Sequence, residues 1–339
     1  MSLKFKWKNI GNNDRLLELE NDFVNKKTSH AYLFAGPVEV GKFTAAKFFA
    51  KLFICKFEAC GECDDCKLIR TNSHPNLTIA DILWIEGINE DLEVIAKKSN
   101  FNQSHRTKTP KAKTDTIRIE DLREILSRLN HKNDGWNIFV IRNIERMNRE
   151  STNFFLKTLE ETPKNTVFIL TTNSQPLILP TIISRCRVLN FGNVNPQTID
   201  LALQKDFPNL TDVERKRVVG FSMGKPIRAE RLAKDPTIFR EFKEYFEKLK
   251  NLLEKPDNVE RLELAEKISL NSKELEKFLE AFTYFLRGFM LTRAKKPIES
   301  SRYTPQKLVE LIRKLNLTRE LIKKNVNPRL AVENLLIQI

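Results

Sequence analysis

Residues 36 to 44 read Gly36-Pro37-Val38-Glu39-Val40-Gly41-Lys42-Phe43-Thr44, directly after the apolar run Ala31 to Ala35. The pattern is G-x-x-x-x-G-K, in which glycines let backbone N–H groups curl around phosphates while the lysine reaches the outer phosphate oxygens. An apolar strand before it and a helical segment after it are the context that such a loop demands. The next residue is normally Ser or Thr, whose hydroxyl ligates Mg²⁺. Here it is Phe43, and a phenyl ring ligates no metal. Thr44 lies one residue on, rotated by about 100° around the helix, and is a poor substitute. Gly36, Gly41, Lys42 and Thr44 are therefore the candidate phosphate contacts of a degenerate loop. Metal-assisted hydrolysis is expected to be impaired, and whether ATP still binds is left open.

A phosphate loop that hydrolyses ATP needs a second strand ending in carboxylates, one to help hold Mg²⁺ and one to activate water. The strand placed to carry them is Ile138-Phe139-Val140-Ile141, and it ends in Arg142-Asn143. A cation and an amide thus stand where two acids are required. Glu145 follows two residues later and is expected on a helix surface. Together with Phe43, the missing acids predict a chain with no ATPase of its own.

Cys55, Cys60, Cys63 and Cys66 offer four thiolates within twelve residues, spaced C-x4-C-x2-C-x2-C. Such spacing suits tetrahedral Zn²⁺; free thiols and an iron–sulfur cluster are the alternatives. Four sulfurs would close the metal's coordination, so the expected role is structural. His74, in Ser73-His74-Pro75-Asn76, is read as a turn residue and not as a ligand.

These residues must be positioned by larger elements. Apolar runs alternate with amphipathic ones through the first half, as in an α/β fold. Strands are expected at Ala31 to Ala35, Asn137 to Ile141, Val167 to Thr171 and Arg187 to Phe191, with helices at Phe43 to Phe53, Ile119 to Leu129 and Ser151 to Glu161. Residues 97–115 are polar and basic and read as a surface loop. Lys97, Lys98, Arg106, Lys108, Lys111 and Lys113 there would either contact DNA or a partner's acidic face, or simply be solvated. Strand signals stop after Asn195-Pro196. The remainder is helical, with Glu274 to Thr292 apolar enough to pack inside a bundle. The organisation expected is an α/β domain over 1–194, a small helical module over 195–235 and an all-α domain over 236–339.

The chain has 339 residues and a net charge of +14, with 41% hydrophobic and 30% charged residues. That size implies two or three domains, and the charge favours a polyanionic partner through phosphate contacts. No run is long and apolar enough to span a membrane, and the N-terminus lacks the apolar core of a secretory signal. A cytoplasmic location is expected, in keeping with clustered cysteines in a reducing compartment.

His30-Ala31-Tyr32-Leu33-Phe34 before the loop resembles the clamp-loader subunits of bacterial DNA polymerase III. So do Met147-Asn148, the segments Asn153 to Glu161 and Phe168 to Thr172, and Leu179 to Cys186. The resemblance runs from about residue 9 to 192 and weakens afterwards, with Asn325 to Leu330 similar to the last collar helix of those subunits. It implies an AAA+ domain with a zinc module at 55–66, a helical lid over 195–235 and a helical collar that joins a hetero-pentamer with gamma/tau ATPase and delta subunits. It also implies work with a sliding clamp and primer–template DNA, without sequence readout. Within this family the gamma/tau subunits keep the acidic pair and the delta-prime type loses it, so Arg142-Asn143 points to delta-prime.

The family likewise carries zinc at the four-cysteine position, although the step from Cys55 to Cys60 is shorter than usual and residues 97–115 look inserted. Ser184-Arg185-Cys186 matches the family's SRC motif, which implies that Arg185 is an arginine finger acting in trans on a neighbour's ATP. An arginine paired to a local carboxylate is the alternative. Cys186 reads as a small buried apolar residue. Thr172 falls at the sensor-1 position and Arg228 near that of sensor 2. Two other functions stand against delta-prime: an active gamma-like ATPase, which the missing acids disfavour, and a free-standing zinc-containing DNA-binding protein.

Overall fold

The computed structural model describes residues 5, 9–80, 116–130, 135–254, 257–295, 304–323 and 326–338. The basic segment 97–115 lies outside them. The chain divides into two compact units, Met1–Glu230 and Arg231–Ile339.

In the first unit five parallel strands form one sheet: β1 (Ala31–Ala35), β2 (Leu77–Ala80), β3 (Asn137–Ile141), β4 (Thr166–Thr172) and β5 (Arg187–Asn190), in the order β2-β3-β4-β1-β5. Parallel neighbours need crossover connections, and such sheets are covered on both faces. Side chains of successive strand residues point to opposite faces, and two apolar layers result. Tyr32, Phe34, Ile138, Val140, Val167 and Ile169 pack with α1 (Asn13–Val24), α2 (Lys42–Ile54) and α3 (Asp64–Arg70). Ala31, Leu33, Phe139, Ile141, Phe168 and Leu170 pack with α4 (Ile119–Ser127), α5 (Arg149–Glu160) and the short α6 (Pro180–Ile183). Strand β1 lies between β4 and β5, with Ala35 opposite both Thr172 and Asn190. The residues that follow β1, β3 and β4 therefore meet at the C-terminal end of the sheet's three central strands.

The expected strands and helices form, with ends shifted by a residue or two. Helix α4 ends at Ser127 and a 3-10 turn, Arg128–Asn130, completes the predicted segment. Strand β2 and helices α1 and α3 were not anticipated. Beyond Asn195 the described residues of this unit form α7 (Pro196–Asp206), α8 (Asp212–Ser222) and the start of α9 (Pro226–Lys234). Asn195 caps α7 through Gln197 N–H, and Thr211 caps α8 with Glu214 returning the bond, each satisfying donors that a helix start leaves orphaned.

The second unit is helical throughout its described residues: α10 (Pro236–Glu254), α11 (Asn258–Ser269), α12 (Ser272–Lys295), α13 (Pro305–Lys323) and α14 (Pro328–Ile337). Leu275, Phe278, Leu279, Phe282 and Leu286 of α12 are buried, the apolar stripe expected of a central bundle helix. Phe285 meets Phe246 of α10 edge to face, with ring centroids 4.8 Å apart. No helix among the described residues is long and apolar enough to cross a membrane.

Candidate functional site: a glycine–lysine loop, a cysteine cluster and a half-buried arginine

The loop between β1 and α2 depends on its two glycines. Gly36 has φ 145°, and a Cβ there would lie 2.0 Å from the carbonyl oxygen of Phe191. Gly41 has φ 96° and caps α2 from the left-handed region, where an L side chain is strained. Both glycines of the predicted loop therefore hold backbone positions that an L side chain would strain.

Lys42 is buried, and its Nζ donates to the carbonyls of Gly36 and Pro37, each at 2.6 Å, and to Asn173 Oδ1 at 3.0 Å. Burial pushes its ammonium down to about 8, helped by the cations Arg142 and Lys225 and opposed by Glu145. Loss of hydration outweighs these acceptors, as the charged form is the one that burial penalises.

The bonds around Lys42 have a fixed direction. Because an ammonium only donates, Asn173 must present its oxygen, and its Nδ2 then donates to Asn143 Oδ1 at 2.7 Å. Asn143, with φ 54°, turns the chain after β3, and its N–H donates to Thr171 Oγ1 at 3.2 Å. The 3-10 turn that follows, Ile144–Arg146, swings Glu145 back toward β4, where its Oε1 accepts from Asn173 N–H at 3.1 Å. Glu145 is thus not on a helix surface as expected: the left-handed turn at Asn143 directs it inward, and its Oε2 is buried. Thr172 is fully buried, its hydroxyl accepting from Ser174 N–H at 3.1 Å. The polar group that reaches Lys42 is Asn173, which the sequence did not single out; its only signal is its place directly after β4. Thr44 is half-buried on α2.

Phe43 and Arg142 meet: the guanidinium carbon is 4.5 Å from the ring centroid. The two side chains, one on α2 and one just after β3, are thus in cation–π contact. Arg228, at the start of α9, is also buried and forms an ion pair with Glu39 of the loop, Nη2 to Oε2 at 2.9 Å.

The four cysteine sulfurs all lie within 4.8 Å of one another. Cys55 Sγ is 3.7 Å from Cys60 Sγ and 3.5 Å from Cys63 Sγ, too far for a disulfide, whose sulfurs sit about 2.05 Å apart. A tetrahedron of Zn–S bonds of about 2.3 Å puts its sulfurs roughly 3.8 Å apart, so the donor set fits zinc. Cys55 follows α2, Cys63 caps α3, and left-handed residues Glu58, Ala59 and Gly61 fold the connection back. Backbone N–H groups of Phe57, Gly61 and Cys63 donate to the sulfurs of Cys55, Cys66 and Cys60, bonds that orient thiolates and offset their charge. The backbone N–H groups of Cys63 and then Glu62 pull the Cys60 thiol down to about 6, whereas burial, against the bond from Gly61, pushes Cys66 up to about 12. His74 stays apart from the cluster: it is buried, Nδ1 accepts from Asn76 N–H at 3.0 Å, and Nε2 faces Asp65 at 3.4 Å.

Arg185 lies just beyond α6. Its Nη1 donates to Thr181 O at 3.0 Å and its Nη2 to Glu160 Oε1, and its side chain is about one-third exposed, at 35%. The local carboxylate pairing weighed as the alternative is therefore present. Ser184 Oγ also donates to Thr181 O. Burial pushes the Cys186 thiol up to about 12, in line with an inert packing residue.

Residues 11–195, more than half of the chain, match the family described as DNA polymerase III, delta subunit. The chain belongs to that family. Two family-related proteins of Bacillus subtilis (strain 168) align with it. One is DNA polymerase III subunit tau, 32% identical over 204 residues, 59% of this chain and 30% of that protein. The other is subunit delta', 29% identical over 203 residues, 58% of this chain and 53% of that protein. The chain thus matches about half or less of the length of these relatives. A gamma subunit-related protein of Thermotoga maritima superposes with TM-score 0.46 at 18% identity, covering 94% of this chain and 97% of that one.

Proposed function

We propose that this chain is a delta-prime-type subunit of a bacterial DNA polymerase III clamp loader, without ATPase of its own and supplying Arg185 in trans to a neighbour's ATP. The observation that carries the proposal is the Phe43–Arg142 contact beside Lys42. At the place where Mg²⁺ would need a hydroxyl and a carboxylate, the chain has an aromatic ring and a cation held against it. Arg142 would repel the metal, and Asn143, engaged by Asn173, has no basic group to deprotonate water.

Arg185 has the features of a finger. Thr181 O and Glu160 take one N–H each, leaving three of the five guanidinium donors for another ligand. Such a cation, presented at a γ-phosphate, spreads positive charge over the transition state and is worth about 10³- to 10⁵-fold in other phosphoryl transfers. Gly36, Gly41, Lys42 and Thr44 keep the form of a nucleotide loop without its metal site, and Thr172 and Arg228 serve as scaffold.

In this proposal residues 1–194 are the AAA+ domain, 195–235 its lid and 236–339 a collar joining the chain to gamma/tau and delta subunits. Cys55, Cys60, Cys63 and Cys66 hold a structural zinc with no open coordination position. The charge of +14 suits contact with primer–template DNA along its backbone while the sliding clamp is loaded. The cytoplasm is the matching compartment. The 32% identity to tau favours a second reading, an active ATPase subunit, against which Phe43 and Arg142 stand. Reconstitution with purified clamp-loader partners tests the proposal: DNA-stimulated ATP turnover and clamp loading should require this chain, and Arg185→Ala should suppress the turnover.

A further inference from the structure

Glu39 places a carboxylate inside a loop whose pattern is otherwise suited to receiving phosphate. Its φ of 63° is left-handed, an uncommon conformation for a residue other than glycine. From there its Oε2 accepts from Nε and Nη2 of Arg228, both at 2.9 Å. Its carbonyl accepts from the N–H of Ile227 at 3.1 Å. Ile227 is in the first turn of α9, where a helix leaves N–H groups without internal partners, so one residue satisfies both a helix end and a buried cation.

The burial makes the contact matter. The Arg228 side chain is 2% exposed and that of Glu39 18%. A guanidinium taken out of water needs a compensating anion, and removing that anion costs far more than losing a surface pair. In a phosphate loop the nearby anion would ordinarily be a ligand's phosphate; this chain carries one in its own sequence.

We propose that Glu39 is a built-in anion that fastens α9 to loop 36–41 through Arg228, so that this junction forms without any phosphate ligand. The junction needs no partner subunit. A polyphosphate entering the loop would meet a like charge at Glu39 and compete for the same guanidinium. Glu39 therefore also disfavours occupancy of the loop, beyond the loss of the metal site.

Hydrogen exchange of the full chain, read by mass spectrometry, tests this. In the wild type, amides over 227–234 should be protected, and millimolar Mg²⁺-ATP or pyrophosphate should leave that protection unchanged. Glu39→Ala should speed exchange there by roughly a hundredfold, as expected when a buried guanidinium loses its carboxylate partner, while β1 and β4 stay protected. Glu39→Gln, which keeps an acceptor without the charge, should fall between. Should Glu39→Ala fail to fold, the exchanged pair E39R/R228E should recover protection that Arg228→Glu alone loses. Unchanged exchange over 227–234 in Glu39→Ala, or no recovery in the exchanged pair, would overturn the proposal.

Discussion

The guanidinium of Arg142 lies over the ring of Phe43, its carbon 4.5 Å from the ring centroid. Each residue alone would read as a lost metal ligand. The contact couples the two, since the charge over the ring face also holds the ring in place. A double-mutant cycle of Phe43→Leu and Arg142→Ala, followed by urea unfolding, should show a coupling of about 0.5–1 kcal/mol. Additive losses would mean that the two are mere neighbours.

Arg185 is held by Thr181 O and by Glu160. In the assembled complex Arg185→Ala should slow ATP turnover by about a hundredfold or more. Glu160→Ala should slow it about two- to fivefold, the scale of an exposed ion pair, with Glu160→Gln closer to wild type. Steady-state kinetics would show the loss in kcat more than in KM. Normal turnover by the Arg185→Ala complex would remove the finger.

The cysteine cluster should bind one zinc per chain, measured by elemental analysis of protein purified without added metal. Cys66→Ala should abolish the metal and lower the melting temperature by several degrees, because structural zinc contributes folding energy directly. Cys186, whose thiol burial holds near 12, should resist alkylation at pH 8 in native protein. Full zinc occupancy in Cys66→Ala would contradict the ligand set.

The pH dependence has a defined sign. Lys42 titrates near 8 in the folded chain, below its ordinary 10.5, so between those values the unfolded state binds more protons. Its contribution to stability must therefore rise as pH increases from about 8 to 10.5, and must be least favourable below 8. The stability difference between wild type and Lys42→Met, from urea unfolding at pH 7.5 and 9.5, should move toward wild type at the higher pH. Movement the other way would mean that the bonds to Gly36, Pro37 and Asn173 dominate burial.

What the chain's order of residues made legible was local. The loop glycines, Phe43, the ending Arg142-Asn143 and the cysteine spacing are each read within a few residues. Strand β2 escaped because Leu77–Ala80 has four residues and is buried throughout, so it shows no alternation. Glu145 was misplaced because its direction depends on the left-handed turn at Asn143. The Glu39–Arg228 pair joins residues 189 apart in sequence, a distance over which no periodicity carries information. Asn173 reaches Lys42 only because β1 and β4 are neighbours in the sheet.

On the proposed function, phosphate chemistry lies outside this polypeptide. The most direct measurement is steady-state ATP hydrolysis by the highly purified chain with Mg²⁺ and primed DNA, compared with Lys42→Ala purified in parallel. Turnover at background and equal in both proteins is the predicted result. Sustained Mg²⁺-dependent hydrolysis that Lys42→Ala abolishes would contradict it.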